Sequence, residues 1–119
     1  MRVMIVGASQ DSSKYGYKAV AAYSRQGHEV LPVNPRGGDI YGHHVYESID
    51  DVPGPLDRAS IYLPPDKGFA VIDAIAQRGD VSEVWLNPGA ESEDLIAHAR
   101  SKGIEPIVAC SIIDIGETP

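Results

Sequence analysis

The chain has little cysteine, little aromatic character and few cations. Its 119 residues hold one cysteine, one tryptophan and one phenylalanine. A single cysteine rules out a disulfide framework within the chain and makes a reducing cytoplasm the default location. No apolar run approaches the roughly 20 residues that cross a bilayer, and Met1 leads straight into a strand-like run with no signal peptide before it. Ten Lys and Arg stand against 17 Asp and Glu, a formal net charge of −7. That balance disfavours broad contact with nucleic acid or an anionic membrane. An anionic small ligand would need a local basic spot. No internal repeat and no low-complexity tract is present.

What is present is an alternation of apolar, β-branched runs with amphipathic segments, the pattern of βαβ units around a parallel sheet. The strands are expected at Arg2–Val6, Glu29–Val33, Arg58–Leu63, Glu83–Leu86 and Glu105–Ala109. Helices are expected over Lys14–Gln26, from Asp66 as its cap, and over Glu91–Lys102, with a short one near Ser48–Val52. Gly27 and Gly103 stand where the first and last long helices should stop. Pro32 removes a ladder donor from the second strand, so one edge of that strand should be unpaired or distorted. The stretch 34–57, rich in Gly, Pro and Asp, reads as a long irregular connection. These elements predict one α/β domain over residues 1–119: a three-layer sandwich with a five-stranded parallel, Rossmann-like sheet. The expected order is 3-2-1-4-5, since right-handed crossovers favour a single reversal of direction. That order places a crevice at the carboxyl ends of the first and fourth strands, between Gly7-Ala8-Ser9 and Asn87-Pro88-Gly89.

The loop after the first strand reads GASQDSSKYG. A dinucleotide fingerprint needs three closely spaced glycines, so that backbone meets a pyrophosphate at a helix N-terminus. After Gly7 the next glycine is Gly16. The loop instead offers the hydroxyls of Ser9, Ser12 and Ser13 and the charge of Lys14. The second strand ends Val33-Asn34-Pro35-Arg36, with no carboxylate for the ribose 2′-hydroxyl of NAD and a guanidinium close to that place. A ribose bearing a phosphate fits better, which leaves NADP or coenzyme A. Glu91, Glu93 and Asp94 crowd the start of the last helix and would repel a phosphate there, whereas the first helix leaves its positive dipole end open. Lys14 and Arg36 serve equally as solvated surface bases. Leu63-Pro64-Pro65 stops the third strand and offers a stiff apolar wall for an adenine ring.

Together VGAS, Gly16-Tyr17, GHEVLPVNPRG, YGHHVYESIDDVPGPLD, IYLPP and WLNPGAESEDL resemble the small stand-alone CoA-binding domain proteins. These are similar to the CoA-binding domain of the succinyl-CoA synthetase α subunit. The resemblance runs along nearly the whole chain. It implies coenzyme A or an acyl-CoA as ligand, bound without catalysis. Gly7, Ala8 and Ser9 would lie against its phosphates and pantetheine arm. Asn34, Pro35 and Arg36 would border the adenosine, with Val33 beside them. Leu63 and Pro64 would line the adenine region, and Asn87, Pro88 and Gly89 the pantetheine side. Lys14 and Tyr15 complete the set of cofactor-binding candidates. The synthetase's phosphorylated histidine lies in a further domain, so its ligase chemistry does not carry over. Two alternatives stay open: an NADP-binding reductase or sensor, and a ligand-free regulatory subunit of an acyl-CoA ligase-like assembly. A homo-oligomer or a ligase-like partner subunit is compatible with either.

Other residues invite an enzyme reading and do not sustain it. Cys110 reads as a small buried hydrophobe, with thiol exchange against coenzyme A as the alternative. His43 and His44 adjoin, but no second ligand cluster accompanies them at metal spacing. His28 and His98 read as surface residues, and Asp50-Asp51 as a solvated helix start. Tyr15, Tyr17 and Tyr41 serve a ligand or packing equally. No catalytic constellation emerges.

Overall fold

Each apolar run becomes a strand, and the alternation of side chains along those strands divides the core in two. The computed structural model describes residues Met1–Pro119. Strand β1 (Arg2–Val6) lies inside the sheet and is buried along almost its whole length. Its Met4 and Val6 face a 17-residue apolar cluster on one side, and Val3 and Ile5 face an 11-residue cluster on the other. Period-two alternation on a strand covered on both faces produces this partition. Helix α1 (Tyr15–Arg25) fills the smaller cluster with Ala19, Val20, Ala22 and Tyr23. After β2 (Glu29–Val33) the chain forms a two-stranded hairpin, β3 (Asp39–Ile40) and β4 (His43–His44), and a 3-10 turn at Ile49–Asp51. Then come β5 (Leu56–Ile61), α2 (Pro65–Arg78), β6 (Val81–Leu86), α3 (Glu93–Ser101), β7 (Ile107–Val108) and α4 (Ser111–Asp114). Helices α2 and α3 cover the larger cluster, which completes three layers.

The five-stranded sheet is parallel, as expected, and runs β2-β1-β5-β6-β7. Counting only its own strands the order is 2-1-3-4-5, not 3-2-1-4-5. The reversal comes one strand earlier than expected. Pro32 explains it. In a parallel strand the N–H and C=O of one residue point to the same side, and Pro32 sends its carbonyl outward to the Tyr46 amide at 2.9 Å. Its missing N–H therefore falls on the outer side, where a full neighbouring strand would have lost a bond. An edge position suits β2 and an interior one does not. The connection fills that edge only briefly: Tyr46 bridges Val33, and the Asn34 amide donates to the Tyr46 carbonyl at 2.9 Å.

The connection is also less irregular than its composition suggests. Tyr41 and Gly42 both adopt positive φ, which makes the two-residue mirror-image turn that matches strand twist. Pro64 and Pro65 do more than stop β5. Pro65 is the first residue of α2, where a missing N–H costs nothing, so the cap is Pro64 and Asp66 falls within the first turn.

Candidate functional site

Because β5 rather than β6 neighbours β1, the switch point of the sheet lies between β1 and β5. Ligands of open α/β sheets bind at such a point, beyond the carboxyl ends of the strands. The loops after β1 and β5 diverge there, and between them opens a cleft of about 720 Å³. This lies within the usual size range of small-molecule sites.

Gly7 and Gly16 build its floor. Gly7 sits at φ +86°, and a side chain there would meet Leu63 at 3.0 Å. The backbone of β1 is thus turned so that α1 can begin directly above it. A methyl on Gly16 would fall well inside the contact distance of the Gly7 carbonyl oxygen and 3.1 Å from Ala8 Cα. The third glycine of a dinucleotide loop allows this close helix-to-strand packing. Gly16 performs that task from farther along the chain.

The long loop between the two glycines folds on itself. The Ser9 hydroxyl accepts from the Asp11 amide at 3.0 Å, and Asp11 accepts from both the hydroxyl and the amide of Ser13, at 2.7 and 2.9 Å. The Ser13 bonds hold the Asp11 carboxyl below its ordinary range. Ser13 is thereby occupied, and neither it nor Ser12 lines the cleft. Ser9 does.

Of the sequence-predicted residues, Gly7, Ala8, Ser9, Lys14, Tyr15, Val33, Asn34, Pro35, Leu63, Pro64, Pro88 and Gly89 line the cleft together. Arg36 stands in an adjoining hollow of about 330 Å³ with Ser9, Gln10, Asp11, Asn34 and Gly37. Asn34 ties the two spaces together: its amide donates to the Ala8 carbonyl at 2.7 Å, and its oxygen accepts from the Arg36 N–H at 2.8 Å. Asn87 lies elsewhere. It is buried beneath the site, where its side-chain amide donates to Ser60 Oγ at 2.8 Å and the Ile61 carbonyl at 3.0 Å. Its oxygen accepts from the Ser111 amide at 2.9 Å. Every bond of Asn87 is internal, and they pin α4 to the sheet.

The same network reaches the cleft through Tyr62. Its ring lines the cleft while its hydroxyl meets Ser111 Oγ at 3.1 Å, and burial pushes its phenol up to about 12. Below it, Arg58 spans the layer to α4. It donates to Glu83 at 2.9 Å, Asp114 at 2.9 Å and the Tyr23 hydroxyl at 3.1 Å, and stacks 4.5 Å from the Trp85 ring.

Sequence reading missed Tyr62, Lys67, Glu47, Ser48, Ile49 and Ala90 on the cleft wall. Lys67, in the first turn of α2, becomes visible only once β5 is set beside β1. Glu47 follows from Tyr46: the bridge to Val33 carries the next residue alongside Asn34.

The charges of the site stand out against the rest of the molecule. Six of the ten cationic side chains, Arg2, Arg25, Arg58, Arg78, Arg100 and Lys102, are in ion pairs. The remaining four are Lys14, Lys18, Arg36 and Lys67. Three of these, Lys14, Lys67 and Arg36, border the cleft or its hollow. The N-termini of α1 and α2 open onto the same space, so backbone dipoles add to the positive field. This is a local basic spot in an acidic chain.

The residues set aside as non-catalytic are spread over the molecule. His43 meets the Ser24 hydroxyl at 3.0 Å, His44 packs edge-on to Tyr46, and His98 pairs with Asp73 at 2.7 Å. Tyr17 stacks on Tyr41, while Tyr15 lines the cleft. Cys110 is half-buried against the smaller cluster, at the start of α4. No group of three or more His, Cys, Asp or Glu comes together at metal-binding distance. No helix is long and apolar enough to cross a membrane.

Comparison with known proteins agrees with this geometry. A family model described as the CoA binding domain matches residues 1–115. The chain is 36% identical over 63 residues to the α subunit of an ADP-forming acetate–CoA ligase II from Pyrococcus furiosus, covering 52% of this chain and 14% of that subunit. It is 31% identical to the α subunit of ligase I from the same organism, covering 98% of this chain and 28% of that one. The chain therefore spans well under a third of these curated relatives. Among solved structures, a conserved hypothetical protein from Pyrococcus furiosus superposes with a TM-score of 0.87 at 30% identity, covering 95% of this chain and 97% of that one.

Proposed function

Since the chain belongs to the CoA binding domain family, we propose that it binds coenzyme A or an acyl-CoA, without catalysis, in the cleft between β1 and β5. The observation that carries this reading is the placement of Lys14, Lys67 and Arg36 around one cleft, when six other cations are spent in ion pairs. The diphosphate lies between the starts of α1 and α2, where the amide dipoles, Lys14 and Lys67 converge. Adenine rests on Leu63 and Pro64, and the ribose phosphate lies toward Arg36. Asn87 contributes by fixing the sheet ends rather than by touching the ligand. Tyr62, whose proton is held to about 12, is a neutral wall at physiological pH.

Calorimetric titration tests the reading. Coenzyme A should bind about tenfold more tightly than dephospho-coenzyme A, the value of an exposed phosphate–guanidinium contact. Equal affinities would remove Arg36 from the ribose phosphate. No binding of either by folded protein would end the proposal.

A second reading is favoured by the length relation to the ligase subunits. The chain would then serve as the detached CoA-binding part of a ligase-like assembly. It requires the same cleft and the same titration result, and differs in adding a partner that co-elutes with the protein.

A further inference from the structure

Glu47 is an acid in a cleft otherwise suited to anions. Its placement gives it a specific task. The end of β2 carries no carboxylate of its own, since Val33 is followed by Asn34, Pro35 and Arg36. The parallel bridge between Val33 and Tyr46 brings Glu47 next to that end from the following segment. Its side chain lies over buried Gly37, where a side chain grown on the glycine would meet Glu47 Cγ at 3.3 Å and Oε2 at 3.5 Å. Glu47 is exposed to the cleft, forms no ion pair and accepts no hydrogen bond. A carboxylate at the end of the second strand is where adenine dinucleotide sites hold a ribose 2′-hydroxyl. Here the fold supplies that carboxylate from outside the strand, with Arg36 in the adjoining hollow.

We propose that Glu47 is a specificity-determining residue that accepts a hydrogen bond from a free ribose 2′-hydroxyl and rejects a ribose phosphorylated at that position. This rests on the coenzyme A reading of the cleft and deepens it. Coenzyme A carries its ribose phosphate on the 3′ oxygen and leaves the 2′-hydroxyl free to donate. NADP carries its phosphate on the 2′ oxygen, which would bring two anions together. Arg36 alone attracts both ligands. Glu47 separates them.

The test uses adenosine 3′,5′-bisphosphate and adenosine 2′,5′-bisphosphate, which differ only in the position of one phosphate, together with coenzyme A. Each is titrated into the wild-type protein and into Glu47→Gln, with circular dichroism confirming that both are folded. Wild type should prefer the 3′ isomer by about tenfold or more, because a carboxylate facing a dianionic phosphate costs at least that in an exposed site. In Glu47→Gln the preference should fall below about threefold, mainly through tighter binding of the 2′ isomer. Raising the salt concentration should narrow the wild-type preference as well, since these charges are exposed. An unchanged preference in Glu47→Gln, with coenzyme A still bound, would overturn the role of Glu47 alone. Failure of wild type to bind coenzyme A would overturn both this proposal and the reading beneath it.

Discussion

Replacing Gly16 by alanine tests whether α1 is seated on β1 as tightly as the geometry indicates. The added methyl would be driven into the Gly7 carbonyl oxygen, with Ala8 Cα also at 3.1 Å. Both neighbours are backbone and neither can rotate away. Helix α1 would have to retreat by on the order of 1 Å in a densely packed interior. Such overpacking costs about 1–3 kcal/mol, and alanine returns at most about 1 kcal/mol of helix propensity. A net loss of about 1–2 kcal/mol should lower Tm by about 4–8 °C in a domain of this size. The retreat also moves the N-terminus of α1 and Lys14 out of the cleft, so affinity for coenzyme A should fall together with stability. Gly68 provides the internal comparison. A methyl there meets Leu95 Cδ2 at 2.5 Å and Cδ1 at 3.2 Å, so a fully buried side chain rather than backbone has to give way. Gly68→Ala should therefore also destabilise, by up to about 2 kcal/mol once helix propensity is returned, but without displacing α1 or Lys14. Urea denaturation followed by circular dichroism measures both. A Gly16→Ala protein as stable as wild type, with ligand affinity intact, would refute the close approach of α1 to β1.

Arg58→Ala should cost about 1–3 kcal/mol, because it removes a buried side chain packed on Trp85 and takes a donor from the buried Tyr23 hydroxyl, while the half-exposed Glu83 and Asp114 return to water. A loss under about 1 kcal/mol in the same denaturation assay would show that the guanidinium does not hold α4. The phenol of Tyr62 gives a pH signature. Its folded value of about 12 lies above the ordinary 10.0. The unfolded chain therefore ionises first, and the contribution is intact below pH 10 and lost as pH climbs toward 12. Wild type should lose about 2 kcal/mol more than Tyr62→Phe over that window. Parallel stability–pH profiles for the two proteins would contradict the buried phenol.

Much of this was legible because each strand is a short β-branched run on a sheet covered on both faces, and each long helix has a glycine at its exit. Residues held close together in the chain arrive at the cleft together: Gly7, Ala8 and Ser9 line it, as do Leu63 and Pro64. Errors arose where position depends on strand order. Pro32 carried the decisive information, since an outward missing donor identifies an edge, but local sequence does not reveal which side of the strand it faces. Choosing the later reversal hid Tyr62 and Lys67, which follow β5, the strand that in fact adjoins β1, in its loop and in the first turn of α2. Asn87 shows another limit. A polar residue at a strand end is equally suited to a ligand and to a buried network, and only the positions of Ser60 and Ser111 distinguish them. Glu47 was invisible for want of a long-range pairing, the single bridge between Val33 and Tyr46.

That bridge has a bearing on how copies of the chain behave toward one another. A sheet edge with a row of free amides is a template for further strands and hence for aggregation. On the β2 side, one outward amide is abolished by Pro32, while the Pro32 carbonyl and the Asn34 amide are already taken by Tyr46. On the opposite side, β7 is two residues long, too short to direct a register. Neither margin thus offers a long continuous row of free partners for edge-to-edge polymerisation. The segment that delivers an acid to the cleft is also the guard of the more extended margin, so shortening it to simplify the site would exchange a change in ligand preference for a loss of solubility.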